Sequence, residues 1–516
     1  MDKACVNYQS DSIKFVPPAK FMLIRIILLN LIVFIFLSGT NSVAQSCDPV
    51  RYIDPIFDVT ATYGIEYQSA RPYGSFFNQG YDLDIYEPEG DTLSHRPVIV
   101  FQYGGGYLIG DKLFPPAPTY CPMWAELGYV CVSINYRLGF SAVSTGSAER
   151  AVYRGVQDLQ AALRFLCEFS DDYGIDTNRI IVTGNSAGAI STFHSTFMEP
   201  NQAPSSYQGF GIGLDSYSLG GIFDSGNNYW NNEEVIAAGI ICNWGAILDT
   251  NLIGDAADDW VPTIMFHGTE DNLVPYVEGA PFDSPFFPVV LGSDPINQRL
   301  DNTTIPHKFV PLVGSGHEPE LLNGAINDTI IQESTRFMYQ HVLKPEILTF
   351  SGNQNPTVND IESYMVIADE PIVRMCVSVS NGNVISNNLN QFEIEWTIPG
   401  NDTIQVIAAN SIMAYDTIYI PVEIELAIGV ESIDVPISAN IYPNPFSDKT
   451  TIQFNGEIEK GSALILSDML GRRIYSAPIS SNSIIINSRE TGKGFFLVYL
   501  ENEAGNKPFL GKLIAQ

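Results

Sequence analysis

The stretch Gly184-Asn185-Ser186-Ala187-Gly188 has the pattern G-x-S-x-G, and it decides how the surrounding chain can fold. The run Arg179–Thr183 before it predicts a strand, and the small residues of Ala187–Phe193 after it predict a helix. A strand-to-helix turn this tight strains the backbone of its central residue, and flanking glycines remove the collisions that side chains would cause. The pattern therefore predicts that Ser186 holds its hydroxyl group clear of a sheet. A glycine-rich turn without chemistry is the alternative if no base, acid or oxyanion donors lie elsewhere.

Strand-like and helical patterns alternate on both sides of this turn, over residues 45 to 345. This alternation predicts an α/β fold, in which a doubly wound, mainly parallel sheet has helices on both faces. The segments that carry the pattern are Arg96–Tyr103, Tyr129–Asn135, Ala151–Phe169, Pro262–His267 and Lys308–Val313. Sites in such sheets form at the carboxyl ends of the strands, so the residues that follow each strand are the candidates for chemistry.

Three consecutive glycines, 104 to 106, follow the first of these strands. A tetrahedral intermediate of acyl transfer needs backbone N–H donors close to its oxyanion, and residues without side chains allow that approach. The residue after the nucleophile usually supplies a further donor. We therefore predict an oxyanion hole made by Gly105, Gly106 and Ala187.

The acid and the base are predicted from their positions after later strands. Asp271 lies in the turn that closes the strand ending at His267, where it can orient an imidazolium; Glu270 is its rival. His317 lies in a loop of small residues after the last strand. The other five histidines stand at positions that fit a catalytic base less well: His95, His194, His267, His307 and His341. The predicted catalytic residues are thus Ser186, Asp271 and His317.

The order Ser186, Asp271, His317 is the order found in α/β-hydrolases. From Val50 to Leu343 the chain resembles the carboxylesterase and hormone-sensitive-lipase-like branches of that superfamily. The resemblance rests on Gln102–Tyr107, Val132–Gly139, Gly184–Ala189, Asn243–Ile247 and His267–Asp271. Tyr103 departs from the pattern, because many relatives have histidine before the glycines.

The resemblance implies a serine esterase that hydrolyses a carboxylic ester, either a small molecule or an acyl group linked to a polysaccharide. It implies neither a metal nor an organic cofactor. Two alternatives remain. One is a serine peptidase of the prolyl-oligopeptidase kind, although the segment before the glycine strand is too short for the β-propeller of such enzymes. The other is a non-catalytic adhesion or carbohydrate-binding protein that kept the fold.

Composition and the N-terminus predict an exported protein. The 516 residues carry a formal net charge of −32, which argues against a nucleic-acid partner. Residues 1–44 are interpreted as a signal peptide, with an apolar run over Phe21–Leu37 and small residues at Ser42 and Ala44. An uncleaved membrane anchor is the alternative. Six of the seven cysteines follow this leader and can pair in an oxidising compartment.

The tail changes character after Pro345, where short strand patterns separated by turns replace the helical signal. Residues 346–430 predict a small β-sandwich that weakly resembles immunoglobulin-like modules of the polycystic-kidney-disease type. We expect it to act as a spacer, and carbohydrate binding is the alternative. Residues 435–516 resemble the C-terminal sorting domain of the type IX secretion system of Bacteroidetes. That resemblance rests on Ile441–Phe446, Met469–Arg472 and Gly494–Leu500. It implies the type IX machinery as a partner and an extracellular or cell-surface location. Residues 45–345 are predicted to hold the whole catalytic site.

Overall fold

The computed structural model describes residues 47, 50–141, 143–208, 215–224, 226–254, 260–426, 437–456, 458–469, 471–502, 505 and 507–516. The signal peptide predicted over residues 1–44 lies outside these residues. None of the helices in the described ranges is both long enough and apolar enough to span a membrane.

An eight-stranded sheet forms the centre of the first region. Its strands, in chain order and omitting three short strands described below, are β1 (Val59–Ala70), β2 (Gln79–Pro88), β3 (Arg96–Gln102), β4 (Val130–Ile134), β5 (Ile175–Asn185), β6 (Gly239–Asn243), β8 (Thr263–Gly268) and β11 (His307–Leu312). They are arranged in the order β1-β2-β4-β3-β5-β6-β8-β11. β1 and β2 are antiparallel to their neighbours, and the other six strands are parallel to one another. The predicted mainly parallel α/β sheet is confirmed.

Helices cover both faces of this sheet, and each face has its own apolar core. The longer helices are α1 (Ala117–Glu126), α2 (Thr145–Glu168), α3 (Ala187–Phe197), α4 (Ser293–Leu300) and α5 (Gly324–Met338). Shorter helical turns span Ser170–Tyr173, Pro200–Gln202, Ser205–Gln208, Tyr229–Asn232, Thr250–Leu252, Pro281–Asp283, Pro319–Leu321 and Tyr339–Leu343. Three short strands, β7 (Ala246–Ile247), β9 (Glu278–Gly279) and β10 (Val290–Gly292), form a separate small sheet in the loops that leave the carboxyl edge.

Two antiparallel sheets follow and share one apolar core. Their strands are β12 (Ile347–Ser351), β13 (Ile361–Ala368), β14 (Arg374–Ser378), β15 (Gly382–Asn388), β16 (Gln391–Trp396), β17 (Gly400–Ala409) and β18 (Tyr415–Ile424). We call residues 346–425 the middle module. Its sheets have the orders β12-β13-β16-β15 and β14-β17-β18.

The middle module packs against the region that precedes it. The described residues up to Glu425 form one compact unit. Ile412 and Ala414, between β17 and β18, are fully buried in the core on one face of the hydrolase sheet. The hydroxyl group of Tyr52 donates to the carbonyl of Ile412 at 2.9 Å, and Lys344 forms a 2.7 Å ion pair with Asp416. These contacts fix the module against the catalytic region because they bury both apolar and paired polar groups at the junction.

One disulfide adds to this junction. Cys47 is bonded to Cys376 on β14, which links the start of the described chain to the middle module. The remaining four cysteines of the described chain are buried free thiols: Cys121, Cys131, Cys167 and Cys242. Two of the six cysteines that follow the predicted leader are thus paired.

Residues Leu426–Gln516 form a second compact unit. Its strands are β19 (Ser438–Tyr442), β20 (Lys449–Asn455), β21 (Ala463–Ser467), β22 (Arg473–Pro478), β23 (Ser483–Asn487), β24 (Gly494–Glu501) and β25 (Phe509–Ala515), with a helical turn at Ser488–Thr491. They form one sheet of order β19-β20-β23 and another of order β22-β21-β24-β25 around a shared core. The prediction that the tail is all-β is confirmed.

Candidate active site

Ser186 lies in the tight turn between β5 and α3. Its backbone has φ 52° and ψ −120°, a left-handed conformation that side chains rarely adopt and that is typical of functional turns. Its N–H donates to the carbonyl of Asn243 at 3.0 Å, which ties the turn to the end of β6. A side chain at Gly188 would overlap the carbonyl oxygen of Gln102 on β3, so the turn requires glycine there.

His317 lies between Ser186 and Asp271. Its Nε2 is 2.9 Å from the Oγ of Ser186, and its Nδ1 is 2.6 Å from the Oδ2 of Asp271. The residues are separated by 131 and 46 positions in the chain, so three different strand ends bring them together. The structure therefore places His317 within hydrogen-bonding distance of both Ser186 and Asp271.

The Asp271 carboxylate is held by backbone as well as side-chain donors. Its Oδ1 accepts from the N–H groups of Leu273 at 2.8 Å and Val274 at 3.0 Å. Burial by itself raises the pKa of Asp271, but hydrogen bonds from His267 and His317 outweigh that effect and hold the pKa well below its usual value. The carboxylate consequently stays ionised at neutral pH. The backbone N–H of Glu270, the rival acid, donates to the carbonyl oxygen of Ser315 at 2.9 Å.

Two of the three predicted oxyanion residues, Gly106 and Ala187, lie beside Ser186. Gly105 and Gly106 have φ of 97° and 62°, and Gly106, Ser186 and Ala187 line one pocket. Within the described chain, the N–H groups of Gly105, Gly106 and Ala187 have no hydrogen-bond acceptor. A free backbone donor beside the nucleophile is what an oxyanion hole requires.

Three side chains that the sequence did not single out fix the glycine loop. The hydroxyl group of Tyr107 donates to the carbonyl of Ala187 at 2.6 Å. Tyr136 donates its hydroxyl group to the carbonyl of Tyr103 at 2.9 Å. Asn185 accepts from the N–H of Gly104 at 2.9 Å through its Oδ1. At Tyr103, where many relatives have histidine, the ring packs on that of Tyr136 with centroids 4.5 Å apart.

A narrow pocket opens beside Ser186. Its walls are almost wholly apolar and come from the glycine loop, α2, α3 and the loop after Asp271. They are Gly106, Tyr107, Phe140, Ala148, Val152, Ala187, Ile190, His194, Leu248, Val274, Pro281, Phe282, Phe287, Pro288 and Val290. His194 adds no charge to the pocket, because burial lowers its pKa to about 4. The pocket therefore suits an apolar group attached to the reacting carbon.

No group of three or more His, Cys, Asp or Glu side chains among the described residues is arranged to bind a metal ion.

His267, set aside in the sequence analysis because it ends a strand, lies 3.3 Å from Asp271. The sequence signal was present in the spacing, since His267 and Asp271 flank the same short turn.

Two families match the chain. Residues 83–208 match the family BD-FAE, a range that includes Gly105, Gly106 and Ser186 and ends before Asp271. Residues 440–515 match the family described as the secretion system C-terminal sorting domain. Both matches confirm the resemblances predicted from the sequence.

Several individual relatives are named as esterases or lipases. The chain is 22% identical to Lipase 2 of Geotrichum candidum over 433 residues, which cover 65% of this chain and 74% of the lipase. It is 35% identical to Esterase E4 of Myzus persicae over 126 residues, covering 23% of this chain and 22% of that esterase. It spans 21% of the length of Lipase 1 of Geotrichum candidum. The solved structure of Thermogutta terrifontis esterase 2 phosphoramylated by tabun aligns at 19% identity with a TM-score of 0.38, covering 54% of this chain and 94% of that chain.

Proposed function

We propose that the chain is a secreted serine carboxylic-ester hydrolase that uses Ser186, His317 and Asp271 as its catalytic residues. The observation that carries the proposal is the continuous contact from the Ser186 hydroxyl through His317 to a buried, ionised Asp271, at 2.9 and 2.6 Å. Neutral His317 with its proton on Nδ1 donates to Asp271 and accepts the Ser186 proton at Nε2.

The reaction proceeds in two halves. In the first, Ser186 Oγ bonds to the ester carbonyl carbon while its proton passes to Nε2 of His317. The resulting imidazolium gives that proton to the leaving alcohol as the C–O bond breaks, which leaves an acyl group on Ser186. In the second half, His317 takes a proton from water, the water oxygen attacks the acyl carbon, and the proton returns to Ser186 as the acid departs. Asp271 stays ionised throughout and stabilises the imidazolium.

The N–H groups of Gly105, Gly106 and Ala187 would hold the oxyanion in both halves. Two observations support this role: these N–H groups have no competing acceptor in the described chain, and Gly105 and Gly106 have positive φ angles. Losing one such donor typically costs about 10²–10³-fold in kcat. These N–H groups would thus lower the activation barrier because they are fixed dipoles that point to the atom on which negative charge develops.

The proposed substrate is an ester with an apolar acyl group, on the evidence of the pocket beside Ser186. An exported esterase can act on acyl groups carried by polysaccharides, and we include these among the proposed alcohol portions. The test is a series of 4-nitrophenyl esters from acetate to dodecanoate, assayed beside acetylated xylan. Turnover of the nitrophenyl esters with a preference for intermediate chain length supports the proposal. No turnover of any ester contradicts it.

Export is proposed to use the leader and the tail in sequence. The sorting-domain match over residues 440–515 indicates an extracellular or cell-surface location. We propose that the leader directs passage across the inner membrane and that residues 435–516 direct type IX export across the outer membrane. Residues 435–516 fused to a periplasmic reporter should carry that reporter to the surface of a host with an intact type IX system, and a reporter that stays inside overturns this assignment.

A further inference from the structure

A second histidine contacts the catalytic carboxylate. His267 occupies the penultimate position of β8 and is fully buried. Its Nε2 lies 3.1 Å from the carbonyl oxygen of Val274 and 3.3 Å from the Oδ2 of Asp271. Its Nδ1 lies 2.9 Å from the Oγ of Ser293, at the start of α4. The ring therefore bridges β8, the turn after it and a helix.

The partners of His267 fix its tautomer. Val274 O and the ionised Asp271 carboxylate can only accept hydrogen bonds, so Nε2 carries a proton. Nδ1 faces a hydroxyl group, and the O–H of Ser293 can donate to it. With a proton on Nε2, the ring has a partner at both nitrogen atoms. In this form Nε2–H donates to the carbonyl of Val274 and lies 3.3 Å from the Oδ2 of Asp271.

These contacts hold the turn that supplies Asp271. The N–H groups of Leu273 and Val274 bind one carboxylate oxygen, and His317 binds the other. His267 donates to the carbonyl of Val274 and lies 3.3 Å from the second oxygen. Both oxygen atoms of Asp271 are therefore constrained, and the turn is closed on a buried ring.

We propose that His267 is a positioning residue that keeps Asp271 in the orientation required by His317. The inference rests on the proposed function, because it assigns His267 a role only through the Asp271–His317 pair. An unsupported carboxylate would sample orientations that do not stabilise the imidazolium formed in the transition state. Removing His267 should lower kcat and leave KM nearly unchanged, since the imidazolium that Asp271 stabilises forms only in the transition state.

A buried histidine that only stabilises the fold is the competing explanation, and a double-mutant cycle separates the two. The variants are His267→Leu and His267→Gln, each in the wild-type and Asp271→Asn backgrounds. The glutamine amide can donate at the position of Nε2, whereas leucine cannot. The assay uses 4-nitrophenyl acetate, because its activated leaving group keeps slow variants measurable and its short acyl group makes little use of the pocket wall at Val274. Thermal melting of each variant reports its fold.

His267→Leu should lower kcat by roughly 10- to 100-fold, the cost of one buried hydrogen bond to a charged group, with KM within about twofold. His267→Gln should recover most of the loss. In the Asp271→Asn background, His267→Leu should change kcat by less than about threefold, because residues that act as a unit are not additive. An equal loss in both backgrounds, or wild-type kcat in His267→Leu, overturns the proposal.

Ser293→Ala keeps the His267 ring and removes the partner of Nδ1, so it serves if His267→Leu does not fold. It should lower kcat by about threefold to tenfold in the wild-type background only. An unchanged kcat in Ser293→Ala would show that the orientation of the His267 ring does not affect catalysis, which contradicts the proposal. Ser186→Ala, measured beside these variants, distinguishes a failure of the proposed function from a failure of the positioning role of His267. An active Ser186→Ala variant refutes the proposed function, whereas an inactive one beside a fully active His267→Leu refutes only the positioning role.

Discussion

Asn185, which directly precedes the proposed nucleophile, is hydrogen-bonded to Glu318, which directly follows the proposed base: its Nδ2 donates to the Oε1 of Glu318 at 3.1 Å. The same amide accepts from the N–H of Gly104 through its Oδ1. One fully buried side chain thus links the glycine loop, the Ser186 turn and the His317 loop. Glu318 has φ 49°, so the backbone beside His317 is itself held in a left-handed conformation.

Replacing Asn185 should therefore impair catalysis without blocking binding. Asn185→Ala leaves the buried N–H of Gly104 without an acceptor and frees Glu318, and we expect kcat to fall by roughly tenfold or more. Steady-state kinetics on 4-nitrophenyl butyrate provides the measurement. Glu318→Gln retains an acceptor oxygen and should lose less activity than Glu318→Ala. Wild-type kcat in Asn185→Ala would show that the link has no catalytic consequence.

The junction with the middle module should stabilise the catalytic region. Ile412→Ala removes a fully buried side chain from the hydrolase core and should destabilise the protein by about 2–5 kcal/mol in thermal or urea unfolding. Tyr419→Ala is the matched control, because Tyr419 belongs to the same module and is 65% exposed. It should change stability by less than about 0.5 kcal/mol.

Shortened chains test the same junction. A chain that ends at Leu426 should keep the melting temperature and esterase activity of the full-length protein. A chain that ends at Pro345 lacks Ile412 and the partners of Tyr52 and Lys344, so it should melt at a lower temperature. Equal melting temperatures would contradict the stabilising role of the middle module.

Glu320 should make the protein less stable as the pH rises from about 4.5 to about 8. Burial raises the pKa of Glu320 to about 8, and apart from its own backbone N–H the carboxyl group has no hydrogen-bond partner among the described residues. Between the unfolded-state pKa near 4.5 and this value, the unfolded state releases a proton that the folded state keeps. Stability should therefore fall as pH rises through this window.

Glu320→Gln removes the titrating group and keeps the shape of the side chain. Melting curves from pH 5 to pH 9 should show similar stability for both proteins at pH 5 and a more stable variant at pH 9. A wild-type protein that loses no more stability than the variant across this range would refute the assignment.

Ala148 should set the size of acyl group that the pocket admits. Ala148→Phe fills part of the pocket, so kcat/KM for a 4-nitrophenyl octanoate should fall by about tenfold or more relative to the acetate. Val152→Ala enlarges the same wall and should shift the preference toward longer chains. A parallel change for acetate and octanoate would place the acyl group elsewhere.

The sequence predicted the features that depend on local chemistry. The Ser186 turn, the strand ends that carry Asp271 and His317, and the mainly parallel sheet all follow from residue patterns within a few positions of each residue. Gly184 shows why, since a side chain there would overlap the backbone of Gly188 and Ala189 in the same turn. The structure brings the three selected residues together, while their catalytic roles remain predictions until a variant is assayed.

Features that depend on distant packing were missed. His267 is an exception, because its four-residue spacing from Asp271 is visible in the sequence and it was set aside only as a candidate base. The docking of Ile412 into another region's core leaves no local pattern, because a short apolar segment between two strands looks like an ordinary loop. The pairing of Cys47 with Cys376, 329 residues apart, is equally invisible in sequence.

The turnover of Ser186→Ala tests the central claim most directly. The variant should hydrolyse 4-nitrophenyl butyrate with kcat reduced by roughly 10³-fold or more, while its circular dichroism spectrum and melting temperature match those of the wild type. Because the substitution removes only one oxygen atom from a residue whose backbone is fixed by the turn, loss of activity can be assigned to the nucleophile. A correctly folded Ser186→Ala protein with wild-type turnover would contradict the account.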